Sequence, residues 1–400
     1  MKATRKISEN IYYLGANDRR LALFENLFPL ENGVSYNSYF IDDEKTALAD
    51  TVDRFVADPF FENLEYLLNG RKLDYLIVHH MEPDHAANMG RLIEMYPEMK
   101  VVCSKKANEM VQQFFGADLG DRAIIVKDGD SLSLGKHKLH FVTTPMVHWP
   151  EVIMSFEEST GILFSADAFG AFGALDGRIF NDEILIDESW WGEARRYYAN
   201  IVGKYGLQVQ SALKKVSRFD IKVIAPLHGP VWRSDIGQFI AKYDLWSKYQ
   251  PEEKGVLLAY ASMYGNTEAA ANALSLALAD RGVDKIRVRD VSVTDVSELI
   301  SLAWKYSHIV IAAPTYNMNI HPKMEHFLLD MKALNLQNRA VSIIENGSWA
   351  PEVIKVASEI FESMKNIRIL EEKISIKSAL ADISPIERMA DEIAQDIKNQ

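Results

Sequence analysis

The seven residues His79, His80, Met81, Glu82, Pro83, Asp84 and His85 follow directly on the apolar run LDYLIV, and no other stretch of the 400 residues constrains the fold so strongly. His80, Glu82, Asp84 and His85 put four potential metal ligands on a turn that leaves a strand. Packing alone does not account for such a group, because charged and imidazole side chains are seldom buried without partners. A strand end holds its side chains rigidly, and alternate residues there can converge on one point instead of spreading around a helix. His79 adjoins His80 but points the other way if the strand continues, which gives it a supporting or structural role.

Three further candidates occupy similar places, each just beyond an apolar strand. They are His148 in TTPMVHWP after KLHFV, Asp167 in FSADAFG after GILF, and His228 in APLHGP after KVIA. A lone histidine is more often an ordinary core or surface residue, so the shared placement carries the reading. His137, His140, His308, His321 and His326 fit neither series and are given no metal role.

Composition narrows the chemistry. Cys103 is the only cysteine, which excludes an internal disulfide, a four-cysteine zinc site and a cysteine-ligated iron–sulfur or rubredoxin centre within this chain, and fits a reducing compartment. A formal net charge of -12 repels phosphate backbones and anionic lipid heads, so neither nucleic acid nor a membrane is expected as a partner. The first residues are basic with no apolar run behind them, and no stretch of about twenty apolar residues follows elsewhere. The expected location is the cytoplasm.

The length favours two domains, and the polar segment SKYQPEEKG at 247–255 is the best boundary between them. Domains over 1–250 and 254–400 are expected. Before the boundary come short β-rich runs such as DYLIVH, KVVC, AIIVK, VIMSF and KVIAP with a helical stretch at 193–214, an α+β arrangement of two sheets with helices outside. After it the rhythm changes to strand VLLAY, helix TEAAANALSLALADRG, strand KIRVRDV, a helix at 296–304, strand HIVIAA, helix PKMEHFLLDMKAL and strand AVSIIE, with further helices to the end. Such α/β alternation implies a doubly wound parallel sheet whose ligand lies at the carboxyl ends of the strands.

Three loops leave that edge. Ser262, Met263, Tyr264, Gly265, Asn266 and Thr267 form a phosphate loop without a lysine, in which backbone N–H groups, two hydroxyls and an amide can bind a phosphate dianion with neutral donors. The Gly-Lys-Ser/Thr of a nucleoside triphosphate loop and the G-x-G-x-x-G of a dinucleotide fold are both missing. Pro314, Thr315, Tyr316 and Asn317 follow the third strand; Asn346, Gly347, Ser348, Trp349 and Ala350 follow the fourth. Tyr316 and Trp349 are placed to flank a planar ring whose polar edge bonds backbone groups.

His80-x-Glu82-x-Asp84-His85, followed by His148, Asp167 and His228, resembles the ligand series of the flavodiiron proteins on a metallo-β-lactamase-like αββα sandwich. The three later loops are similar to those of short-chain flavodoxins and of the flavodoxin-like domain in the same family. In related zinc hydrolases the place of Glu82 is usually a histidine, and a carboxylate there adds charge and a hard oxygen donor that favour iron. The resemblance implies that His80, Glu82 and His148 hold the iron nearer the flavin, that Asp84, His85 and His228 hold the other, and that Asp167 bridges them beside an oxide or hydroxide. Three carboxylates and one hydroxide neutralise two ferrous ions.

The resemblance further implies FMN as electron relay, dioxygen reduced to water or nitric oxide to nitrous oxide, and a head-to-tail homodimer or a dimer of such dimers. Electrons then come from an external donor such as rubredoxin or a reduced coenzyme. Two rivals remain at this point: a zinc-dependent hydrolase fused to a flavodoxin-like module, and an electron carrier whose metal domain is only structural.

Overall fold

A computed structural model describes residues 3–399. The chain divides into two compact units, one made of the residues up to Tyr198 with Leu207–Asp244, the other of Ala199–Gly206 with the residues from Leu245 onward.

The first unit is built on two sheets. One orders its seven strands as Arg5–Ser8, Ile11–Tyr13, Tyr39–Ile41, Ala47–Ala49, Tyr75–Ile77, Lys100–Cys103 and Ala123–Ile125; the other runs Ser131–Ser133, Lys138–Thr143, Ile153–Glu157, Ile162–Phe164 and Val223–Ala225. Apolar residues of both, among them Tyr39, Ile77 and Val102 from the first and Phe141, Ile153 and Phe164 from the second, close on one core. Burial of that shared face is what holds two such sheets together.

Strand direction then decides where the polar turns emerge. Ile162–Phe164 pairs in parallel with Val223–Ala225, and Lys138–Thr143 runs in the same sense because Ile153–Glu157 is antiparallel to both its neighbours. His148, Asp167 and His228 therefore leave one edge of the second sheet. In the first sheet Tyr75–Ile77 lies parallel between Ala47–Ala49 and Lys100–Cys103, and its continuation delivers the His80 turn.

The second unit carries a parallel sheet ordered Ile286–Asp290, Glu253–Tyr260, Tyr306–Tyr316, Arg339–Asn346 and Ile367–Ile376. Its first and second strands exchange places, so the strand order reverses beside Glu253–Tyr260, and ligands bind at such a reversal. The sequence reading put only helices after AVSIIE, yet Ile367–Ile376 is the fifth strand. Arg368, Glu371 and Lys373 of this edge strand are exposed and Glu372 is half-buried, and that charge disguised the strand.

The helix expected at 193–214 is also different. Glu188–Tyr197 is regular, Tyr198–Val202 is wider, Gly203–Tyr205 is tighter, and Gly206–Val216 resumes. At Gly206 an added Cβ would lie 2.3 Å from the carbonyl oxygen of Ser247, so the backbone approaches too closely for any side chain. The interrupted turn bonds within the second unit: Asn200 donates to the Ser297 carbonyl and the Tyr249 hydroxyl to that of Lys204.

Arg339 pins the start of the second unit. Fully buried, it donates to the carbonyls of Tyr249, Ala303, Trp304, Gln337 and Asn338 at 2.7–3.2 Å. No helix among the described residues is long and apolar enough to cross a membrane.

Candidate metal centre and cofactor cleft

Seven side chains predicted from the sequence to be metal ligands converge in the first unit as two groups: His80, Glu82, His148 and Asp167 in one, Asp84, His85 and His228 in the other. In the first group His80 Nε2 lies 3.1 Å from Glu82 Oε2 and 3.3 Å from His148 Nε2. In the second, His85 Nε2 lies 3.0 Å from His228 Nε2, and both stand 3.3 Å from Asp84 Oδ2. Asp167 turns one oxygen to each group, Oδ2 at 3.0 Å from His148 Nε2 and Oδ1 at 3.2 Å from His85 Nε2.

These distances fit metal ions. Donors arranged about an ion at roughly 2.1 Å sit roughly 3.0–3.4 Å from one another. The tautomers agree, since His80 Nδ1 donates to Glu151 Oε1 at 2.8 Å and His228 Nδ1 to the Ser35 carbonyl at 2.7 Å. In the neutral imidazoles that leaves a lone pair on each Nε2, aimed at the facing nitrogen. Both carboxylate oxygens of Asp84 are buried without a hydrogen-bond partner, an arrangement that asks for a cation.

Without metal, protons take the cation's place. Burial works against a charged imidazole at His148, but the carboxylates of Asp167 and Glu82 outweigh it and raise its pKa to about 9. At His80 burial is likewise overcome, by Asp167, Glu151 and Glu82, and at His85 by Asp84 and Asp167, so both are raised. Burial opposes ionisation of Glu82 and Asp167, yet the facing histidines hold both below the usual carboxylate range.

Metal ligation requires neutral imidazole. Loading the metal-free protein at pH 7.5 is therefore expected to release protons, that of His148 among them, measured by calorimetry in buffers of differing ionisation enthalpy. The same shifts set the pH course of stability. A histidine raised on folding stabilises the metal-free protein fully below about 6.5, and for His148 that contribution is lost as pH rises through about 9.

The neighbours that place these ligands escaped the sequence reading. Asp50 accepts the backbone N–H groups of His79 and His80 and the His79 Nδ1 proton, while His79 Nε2 meets the Ser155 hydroxyl at 2.7 Å. His79 thus faces away from the metal centre. Thr51 binds the His85 carbonyl through both its N–H and its hydroxyl, so consecutive residues grip both ends of the ligand turn. Glu25, on the turn between Leu23–Phe24 and Phe28–Pro29, is exposed as a residue but tucks its carboxyl against Glu82; burial of that group and the adjacent charge push it up to about 8.

In the second unit a cavity of about 390 Å³ opens where the strand order reverses. Of the fifteen predicted cofactor residues it is lined by Ser262, Met263, Tyr264, Asn266, Thr267, Pro314, Thr315, Asn317, Asn346, Gly347, Ser348 and Trp349. Gly265, Tyr316 and Ala350 do not line it, and Met318 and Ser378 do. The Tyr316 ring instead meets His321, with centroids 6.4 Å apart, because the strand Tyr306–Tyr316 carries on past Pro314 into a pairing with Asn319–Ile320. Ser378 follows the strand that the sequence disguised, and its hydroxyl lies 2.6 Å from that of Ser348.

The cleft suits a flavin phosphate. The helix Asn266–Asp280 starts after Gly265 at φ +89° with no side chain capping it, so its first N–H groups are left for an anion. The Ser262 hydroxyl accepts from the Gly265 N–H at 3.1 Å and keeps its own proton for donation. Trp349 is 79% exposed at the rim, an apolar face that a planar ring would cover.

Comparison with known proteins agrees unit by unit. Residues 34–229 match the ODP family beta lactamase and residues 258–372 match Flavodoxin. A protein of Moorella thermoacetica named nitric oxide reductase is 32% identical over 366 residues, 90% of either chain. Among solved structures, the rubredoxin oxygen:oxidoreductase of Desulfovibrio gigas superposes with TM-score 0.93 at 27% identity over 99% of both chains. The flavodiiron protein of Giardia intestinalis gives 0.91 at 27% identity over 99% of this chain and 96% of that one. Sequence and architecture therefore place this chain in the flavodiiron protein family of oxidoreductases.

Proposed function

We infer that this chain reduces diatomic oxidants, dioxygen to water and nitric oxide to nitrous oxide, with two iron ions that His80, Glu82 and His148, and Asp84, His85 and His228, would hold, Asp167 serving both groups. The observation that carries this is Asp167 itself, whose two oxygens face two separate donor groups. The cleft lined by Ser262, Asn266, Thr267, Asn346 and Trp349 takes FMN. Two ferrous ions and one reduced flavin supply the four electrons that dioxygen needs, and nitric oxide needs one per molecule.

The residues of this chain prepare the site for that chemistry. Glu82, Asp84 and Asp167 offset the charge of the ions in a buried setting, while Glu151 and the Ser35 carbonyl fix which imidazole nitrogen is free. Phe24 and Tyr36 pack edge-on against His228, and Trp149 against His80, which shields these two rings. A carboxylate at Glu82 in place of a third histidine and the oxidoreductase relatives leave the zinc-hydrolase reading without support.

We assign the metal domain to 1–250 and the FMN domain to 254–400, and a head-to-tail homodimer, or a dimer of such dimers, in the cytoplasm. Its electron donor is rubredoxin or a reduced coenzyme. The test is to reduce the flavin anaerobically, mix with each gas in a stopped-flow instrument, and measure iron on the same sample. Rapid reoxidation proportional to iron content is expected; reoxidation no faster than that of free FMN would overturn the assignment.

A further inference from the structure

The two donor groups are alike in composition but not in what stands behind them. In the first, His80 Nδ1 donates to the carboxylate of Glu151 at 2.8 Å, and the same Oε1 accepts the Met81 N–H at 2.8 Å. Both side chains are fully buried. The other oxygen, Oε2, is buried with no hydrogen-bond partner, so the carboxylate expresses its charge through His80 and one backbone N–H. Its place is fixed from behind, because the Ser104 hydroxyl, which caps the helix Lys105–Phe115, also donates to the Glu151 carbonyl at 2.8 Å.

The second group has no such support. His228 Nδ1 donates to a neutral acceptor, the Ser35 carbonyl, and His85 Nδ1 is buried without a partner. A carboxylate behind an imidazole raises the basicity of its free nitrogen and locks the ring; a carbonyl does this less, and no acceptor not at all.

We propose that Glu151 is a positioning residue that makes the two metal positions unequal, so that the ion held by His80, Glu82 and His148 is retained longer than the ion held by Asp84, His85 and His228. This depends on the di-iron reading above and adds to it an order of loading and loss. The position backed by Glu151 fills first and empties last.

The test uses the full-length protein carrying FMN and two ferrous ions, challenged anaerobically with a ferrous chelator in excess. Wild type is expected to lose iron in two phases of equal size. Glu151→Gln keeps an acceptor oxygen for His80 but removes the charge, and should speed the slow phase about 10–100-fold while leaving the fast phase unchanged. Glu151→Asp keeps the charge and should restore part of the slow phase.

A second readout assigns the phases. Protein given one equivalent of iron-57 and then one of iron-56 should show a single Mössbauer doublet in wild type and two in Glu151→Gln, where the preference is gone. Should Glu151→Gln fail to fold, the wild-type release curve and the staged Mössbauer loading still decide the matter. Two irons per chain leaving in one phase, or a slow phase indifferent to Glu151→Gln, would overturn the proposal and leave the di-iron reading intact. A wild-type protein that holds fewer than two irons defeats both.

Discussion

Asp167→Asn protein is expected to keep its full complement of FMN, lose at least one of its two irons, and reduce either gas at least about a hundredfold more slowly. Changes to groups that merely support a ligand already cost 10–100-fold, and Asp167 is the only side chain of the seven that faces both donor groups. It is buried, 1% exposed, and in the metal-free protein its charge balances His80, His148 and His85. Asparagine keeps the shape but offers a dipole where a full charge is needed, and one of its two ends is a donor aimed at imidazole nitrogens. Iron by elemental analysis, flavin by absorbance and stopped-flow reoxidation on one preparation check the three parts. Full iron content with normal rates would remove Asp167 from the centre.

The second large effect lies at the end of the strand Arg339–Asn346 opposite the cofactor loop. Arg339→Met is expected to destabilise the second unit by about 4 kcal/mol, seen as release of fluorescent FMN at markedly lower urea. Hydrogen bonds from a charged donor contribute about 1.5–3 kcal/mol each, and a buried acceptor left without its donor costs about as much again. Here one guanidinium serves five carbonyls, and methionine supplies none of those donors. The total stays well below a simple sum because the bonds share one side chain and the backbone relaxes. Arg339→Lys should recover little, since a compact ammonium cannot reproduce the planar fork that spans Tyr249, Ala303 and Trp304. An unchanged urea midpoint for Arg339→Met would show that these carbonyls find other donors.

The metal turn was readable because four donors crowd into six positions, 80–85, and because His148, Asp167 and His228 each end an apolar strand, a pattern that needs no knowledge of pairing. The groups behind them were not readable. Glu151 lies 71 positions from His80, and Ser35 lies 193 from His228; only the fold brings them together, and one of the two is a backbone carbonyl that no side-chain pattern can announce. In the second unit the alternation of apolar strands and amphipathic helices was plain. The edge strand Ile367–Ile376 hid because Arg368, Glu371 and Lys373 break its apolar run with exposed charge, and Ser378 was lost with it. Tyr316 shows how far loop position reaches: the strand runs two residues past Pro314 into a pairing with Asn319–Ile320, and the ring meets His321 instead of lining the cleft.

The break at Gly203 and Gly206 has a practical bearing on anyone who would divide this protein. Residues 199–206 sit within the span of the first unit by position but within the second by contact, so the peptide passes from one compact body to the other three times. A cut at 250 severs only the last of those passages. A fragment starting at 251 would lack Lys204 and Asn200 as well as the Tyr249 carbonyl that Arg339 grips. The flavin-carrying half is thus an insertion host that borrows a short piece of its neighbour's chain, and a clean excision must carry that piece along.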